Sequence, residues 1–127
     1  MAKGFTLIEM IIVVVIVSVL VAVSVPSYTT TREKALDREA VGILRLIRSA
    51  NKQYLSKSNA YYPYTGLVSS VSSINGNLSI FISTNFWTIS LWGNGNVFRA
   101  NATRGNRYWT INESAPDPLC YGAGCLP

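Results

Sequence analysis

The hydrophobic pattern changes character twice along this chain. From Met10 to Val25 every position is apolar except Ser18 and Ser24, and the run lies between a lone carboxylate, Glu9, and a proline, Pro26. The run holds 12 Ile, Val or Leu residues, each favouring membrane insertion by roughly 0.3–0.6 kcal/mol against a cost of about 3 for a central acid. Counted from Phe5, the stretch is 21 residues. At 1.5 Å per residue it reaches about 32 Å, close to the ~30 Å hydrocarbon thickness of a bilayer. One transmembrane helix is therefore predicted over 5–26. Its valines weaken a helix in water through lost rotamer freedom, but an unpaired backbone group in lipid costs more. Pro26 lacks an amide donor and is expected to bend or interrupt the helix at the membrane exit. A cleaved secretory signal needs a small-residue cleavage site beyond its apolar core. Val23-Ser24-Val25-Pro26 is a poor one, which favours retention of the helix.

Beyond Pro26 the period becomes that of an amphipathic helix over 27–56. Leu36, Ala40, Ile43, Leu44, Ile47, Ala50, Tyr54 and Leu55 form one stripe, with Arg38, Arg45, Arg48 and Lys52 mostly off it. Glu33 and Asp37, beside Lys34 and Arg38, suggest a modest surface ion-pair lattice. The Ser-, Tyr- and Gly-rich stretch 57–77 reads as a connecting loop with one short helix near 67–73. The period then switches to two. Trp87, Ile89 and Leu91, then Phe98, Ala100 and Ala102, then Trp109 and Ile111 alternate with polar or exposed-type residues. Gly93-Asn94-Gly95-Asn96 and Arg104-Gly105-Asn106 suit tight hairpins, because Gly and Asn tolerate positive φ. The fold class is α+β: a long amino-terminal helix packed on an antiparallel sheet of three or four strands within 78–112. The fourth strand is expected at 78–83, and 113–127 is read as a carboxyl-terminal loop.

Charge and composition narrow the chemistry. The chain has 127 residues, a net charge of +5 and no histidine, which removes the side chain best suited to proton transfer and metal binding near neutral pH. No phosphate-binding glycine loop, nucleophile elbow or paired catalytic carboxylate is present. An enzyme is not indicated, and no cofactor or metal is implied. Glu113 and Asp117 are too few for calcium, which takes six to eight oxygens. Cys120 and Cys125 would close a six-residue ring if oxidised, contributing about 2 kcal/mol, or remain as two thiols. Zinc lacks two further ligands. The basic residues fit a solvated face better than a nucleic-acid interface, and nucleic acid is not favoured as a partner.

The string Lys3-Gly4-Phe5-Thr6-Leu7-Ile8-Glu9 ahead of the apolar run resembles the leader and cleavage site of type IV prepilins and type II secretion pseudopilins. The resemblance implies a leader over 1–4, cleavage between Gly4 and Phe5 by a prepilin peptidase, and methylation of the new Phe5 amine. It also implies assembly through Phe5, Glu9 and Pro26. A carboxylate one turn into a membrane helix snorkels, takes a proton or finds a cation. In the family that cation is the terminal ammonium of a neighbouring subunit. Ser18 stands where many relatives have glycine in a region that unwinds on assembly. Positive charges on both sides of the helix (Lys3 against Arg32, Lys34 and Arg38) leave orientation undecided, and the resemblance puts the amino end inside.

The expected function is that of a pilin: a single-pass inner-membrane precursor that joins copies of itself, with the assembly machinery, into an extracellular or periplasmic filament. A carboxyl-terminal loop bounded by Cys120 and Cys125 likewise resembles that of type IV pilins. Three other readings stand beside it: a secretion pseudopilin, a DNA-uptake pilin using Arg99, Arg104 and Arg107, and a monomeric membrane-anchored binding module.

Overall fold

A computed structural model describes residues 3–125. The first element is a helix, α1 (Leu7–Ser58), and the chain divides into two compact units, one ending at Ala35 and one beginning at Leu36.

In the first unit, α1 exposes its apolar residues on every side, and the most apolar window of the helix has none of its residues buried. The hydroxyls of this segment are satisfied locally, as an apolar medium demands. Ser18 Oγ donates to the Val14 carbonyl and Ser24 Oγ to that of Leu20, each at 2.7 Å. The interruption expected at Pro26 is absent, since the helical pattern continues through it. Proline removes one amide donor from the ladder, a loss a longer helix tolerates. The Thr29 and Thr30 hydroxyls both donate to the Pro26 carbonyl, at 2.9 and 3.2 Å.

In the second unit, the stripe Leu36, Ala40, Ile43, Leu44, Ile47 and Ala50 is buried against a five-stranded antiparallel sheet. The strands are β1 (Gly66–Val68), β2 (Thr88–Gly93), β3 (Phe98–Arg104), β4 (Arg107–Asn112) and β5 (Leu119–Gly122), in that spatial order. The inward residues are those the alternation selects: Ile89 and Leu91, Phe98, Ala100 and Ala102, and Ile111. Both hairpins form where Gly and Asn cluster. Asn94 Oδ1 accepts from the amides of Asn96 and Val97 between β2 and β3, and Gly105, at φ 58°, turns β3 into β4.

The strand count is five rather than three or four. β1 lies inside the stretch read as a loop and β5 inside the carboxyl-terminal one, each too short to show a period. A second helix, α2 (Val71–Leu78), opens at Ser70, whose side chain caps the Ser73 amide, and begins later than expected. The strand expected at 78–83 does not form. Asn75 occupies both backbone groups of Ile82 instead, donating to its carbonyl at 3.0 Å and accepting from its amide at 2.9 Å. Buried Asn51 does the same for Tyr62, at 2.7 and 2.8 Å, and so fixes the chain as it leaves α1. The Tyr62–Pro63 peptide bond is cis. The tyrosines here cover the core: Tyr61 packs on Phe98 at 5.1 Å, and Tyr54 contacts Tyr62 and Tyr64. Tyr54 donates to the Tyr64 hydroxyl at 3.1 Å, which raises the Tyr54 phenol above its ordinary pKa and lowers that of Tyr64.

Candidate assembly site

The helix start is built from two side chains. Thr6 is the residue before Leu7, so its hydroxyl and Glu9, three residues on, stand at the two positions of a capping box. Both halves form. Glu9 Oε2 accepts from the Thr6 amide at 2.7 Å and from Thr6 Oγ1 at 2.9 Å, and the Glu9 amide donates to Thr6 Oγ1 at 3.4 Å. The carboxylate also lies at the positive end of the helix dipole. Glu9 Oε1 accepts nothing among the described residues. The carboxylate thus holds its own helix start with one oxygen, and the residue is exposed. The Thr-x-x-Glu spacing was present in the sequence, yet Thr6 was absent from the expected site residues.

Phe5 precedes the helix and is 80% exposed. A side-chain carbon added at Gly4 would meet nothing within 4 Å, so local packing does not require glycine there. Gly4, Phe5 and Glu9 therefore share one short exposed segment, while Pro26 lies well along the same helix.

At the other end of the chain, Cys120 and Cys125 form a disulfide, with Cα atoms 5.9 Å apart. Cys120 lies on β5, which pairs with β4, so the carboxyl-terminal segment belongs to the sheet. Arg107 ties that segment to α1. Its guanidinium lies 3.2 Å from Asp37 Oδ1, donates to the Gly124 carbonyl at 2.8 Å and stands 5.5 Å from the centre of the Trp87 ring. Trp109 Nε1 also reaches Asp37 Oδ1, at 3.3 Å, and Trp87 Nε1 donates to the Leu36 carbonyl at 3.0 Å. Asp37 and Arg107 are 5% and 7% exposed.

Two expectations are corrected here. Asp37 is not part of a surface ion-pair lattice, because its partner comes from β4. Arg107 is not available to nucleic acid, because it is buried against that acid. Glu113 and Asp117 are likewise engaged, Glu113 with the Phe98 amide at 3.2 Å and Asp117 with Arg45 at 2.6 Å. Arg48 donates to the carbonyls of Asn112 and Glu113, each at 3.2 Å.

Residues 1–25 match the family model described as the prokaryotic N-terminal methylation motif. The amino-terminal segment that holds Gly4, Phe5 and Glu9 carries that motif. Among curated proteins it is similar to the type IV major pilin protein PilA of Myxococcus xanthus, 34% identical over 59 residues that cover 46% of this chain and 27% of that one. It is also similar to the type IV wide pilus major component PilA4 of Thermus thermophilus, 37% identical over 60 residues that cover 47% of this chain and 46% of that one. The chain thus spans less than half the length of either pilin. No solved structure matches it.

The pair that sequence reasoning missed is Asp37–Arg107. Its only sequence signal was an acid flanked by the apolar stripe residues Leu36 and Ala40.

Proposed function

We propose that this chain is a filament-forming pilin subunit. The observation that carries the reading is the stretch of α1 before Pro26, apolar on all sides, whose single carboxylate, Glu9, sits at the helix start and is held by Thr6 through one oxygen. Such a rod has two suitable environments, lipid and other copies of itself. In the bilayer it is a single-pass precursor with its amino end on the cytoplasmic side. Cleavage between Gly4 and Phe5 by a prepilin peptidase leaves a cationic amine on Phe5, and methylation keeps that charge. In the filament the amine of one subunit pairs with Glu9 of its neighbour, where exclusion of water strengthens the attraction. The helices then form the core, and the sheet units are carried by them. Assembly machinery supplies the energy, and Pro26 lies where the helix leaves the membrane.

The test is Glu9→Ala, assessed by membrane fractionation and by electron microscopy of sheared material. The variant is expected to enter the membrane at normal levels and to yield few or no filaments. Filaments of normal number and length from that variant would overturn the pairing role. Mass measurement of the amino terminus of sheared subunits should find a methylated Phe5, and a first residue beyond Pro26 would remove the proposal.

A further inference from the structure

The sheet face turned away from α1 carries a groove of about 500 Å³, whose lining includes Arg99, Asn101, Tyr108, Thr110, Leu119 and Tyr121. We propose that this groove binds an acidic saccharide, a hydroxyl-rich ring bearing a carboxylate.

Register builds the groove. Asn101, Thr110 and Leu119 stand side by side across β3, β4 and β5, and Tyr108 stands opposite Tyr121 in the next row. The two phenol rings stack, 5.3 Å between centres and 17° between planes, and each residue remains about half exposed. They present an aromatic surface on which the C–H face of a sugar ring can lie. Beside them Asn101 Oδ1 and Thr110 Oγ1 are covered by protein and have no hydrogen-bond partner. Such atoms are rare in folded proteins because each forgoes the bonds it had in water. Leu119, in the same row as both, is itself half exposed, so a ligand hydroxyl that displaces its side chain would pair both oxygens and leave the stacked tyrosines in place. Arg99 is exposed and forms no ion pair among the described residues, which leaves its planar guanidinium for a carboxylate.

The same inventory disfavours nucleic acid. A phosphate backbone is held by several cations in a row, whereas Arg107 is buried on Asp37 and Arg104 falls on the other set of alternate positions along β3. One guanidinium, two unpaired oxygens and an aromatic platform suit one carboxylate among many hydroxyls.

The full-length chain in detergent micelles is titrated with polygalacturonate, with neutral dextran and with duplex DNA, and binding is followed by affinity electrophoresis. Polygalacturonate is expected to retard the protein and dextran to leave it unshifted. Arg99→Gln should weaken binding about tenfold, the loss of a charge-assisted hydrogen-bond pair. Tyr121→Ala, which alters no charge, should also weaken it. Arg38→Gln, an equal charge change on the exposed face of α1, should leave it unchanged. The proposal fails if Arg38→Gln costs as much as Arg99→Gln, if Tyr121→Ala has no effect, or if DNA binds as tightly and responds to the same variants. Near-ultraviolet circular dichroism confirms that each variant retains its fold. None of this depends on polymerisation, so failure here leaves the filament reading untouched.

Discussion

The two stretches of α1 on either side of Ala35 obey different rules, although they belong to one helix. Before that point Val, Ile and Leu point in every direction and none is buried, so composition alone specifies the environment. After it, apolar residues keep to one stripe, and Asp37 and Asn51 are buried beside them because each has partners placed by other parts of the chain. A side chain's value in the first stretch is set by its medium, and in the second by particular neighbours. Exchanges among apolar residues should therefore be tolerated in the first and costly in the second.

The sharpest way to break this contrast is at Asp37. Asp37→Ala strands a buried guanidinium and should cost about 3–5 kcal/mol, read as a lowered unfolding midpoint of the full chain in micelles. The double variant Asp37→Leu with Arg107→Met should recover most of that loss, since an apolar pair of similar volume dispenses with both charges. Failure to recover would make the pair a requirement of the fold rather than a replaceable contact. Next in size, Leu44→Ala empties a fully buried site and should cost about 2–5 kcal/mol in the same measurement. Val15→Ala should leave that midpoint unmoved. An equal effect of the two would erase the distinction between the stretches. Smaller again, Cys120→Ser with Cys125→Ser should cost about 2 kcal/mol and release amide protection on β5 before β4, as hydrogen exchange would record. The smallest effect is expected at Thr6. Thr6→Ala removes the reciprocal cap, so amides at Leu7 to Glu9 should exchange several-fold faster in micelles while the sheet unit is unchanged.

Periodicity located the helix, the buried stripe and the inward faces of β2, β3 and β4, because those elements are long enough to repeat their pattern. It failed for β1 and β5, which become strands only through pairing with β2 and β4. At 78–83 it proposed a strand whose backbone groups were already claimed by Asn75. Among the assembly residues, Glu9 was recognised for its place in an apolar helix, while its cap partner Thr6 was overlooked despite a legible spacing. Gly122 shows the same limit. Its φ of 99° and the Asn106 carbonyl where a side chain would stand explain why glycine is needed there, and neither is visible without β4 beside it.

Taken alone, the sequence determined that an apolar rod begins this chain, that a lone acid marks the rod's start, and that a striped helix precedes a sheet. These are properties of local order, fixed by residue spacing and by the cost of leaving backbone groups unpaired in lipid. Only the tertiary structure decided that Asp37 meets Arg107, that Asn51 and Asn75 stand in for strand partners, and that an arginine, two unpaired oxygens and two tyrosines share one sheet face. The ion pair and the sheet face join residues far apart in the chain or paired across strands, and the two asparagines reach across reversals of 11 and 7 residues; such contacts exist only after folding has brought their elements together.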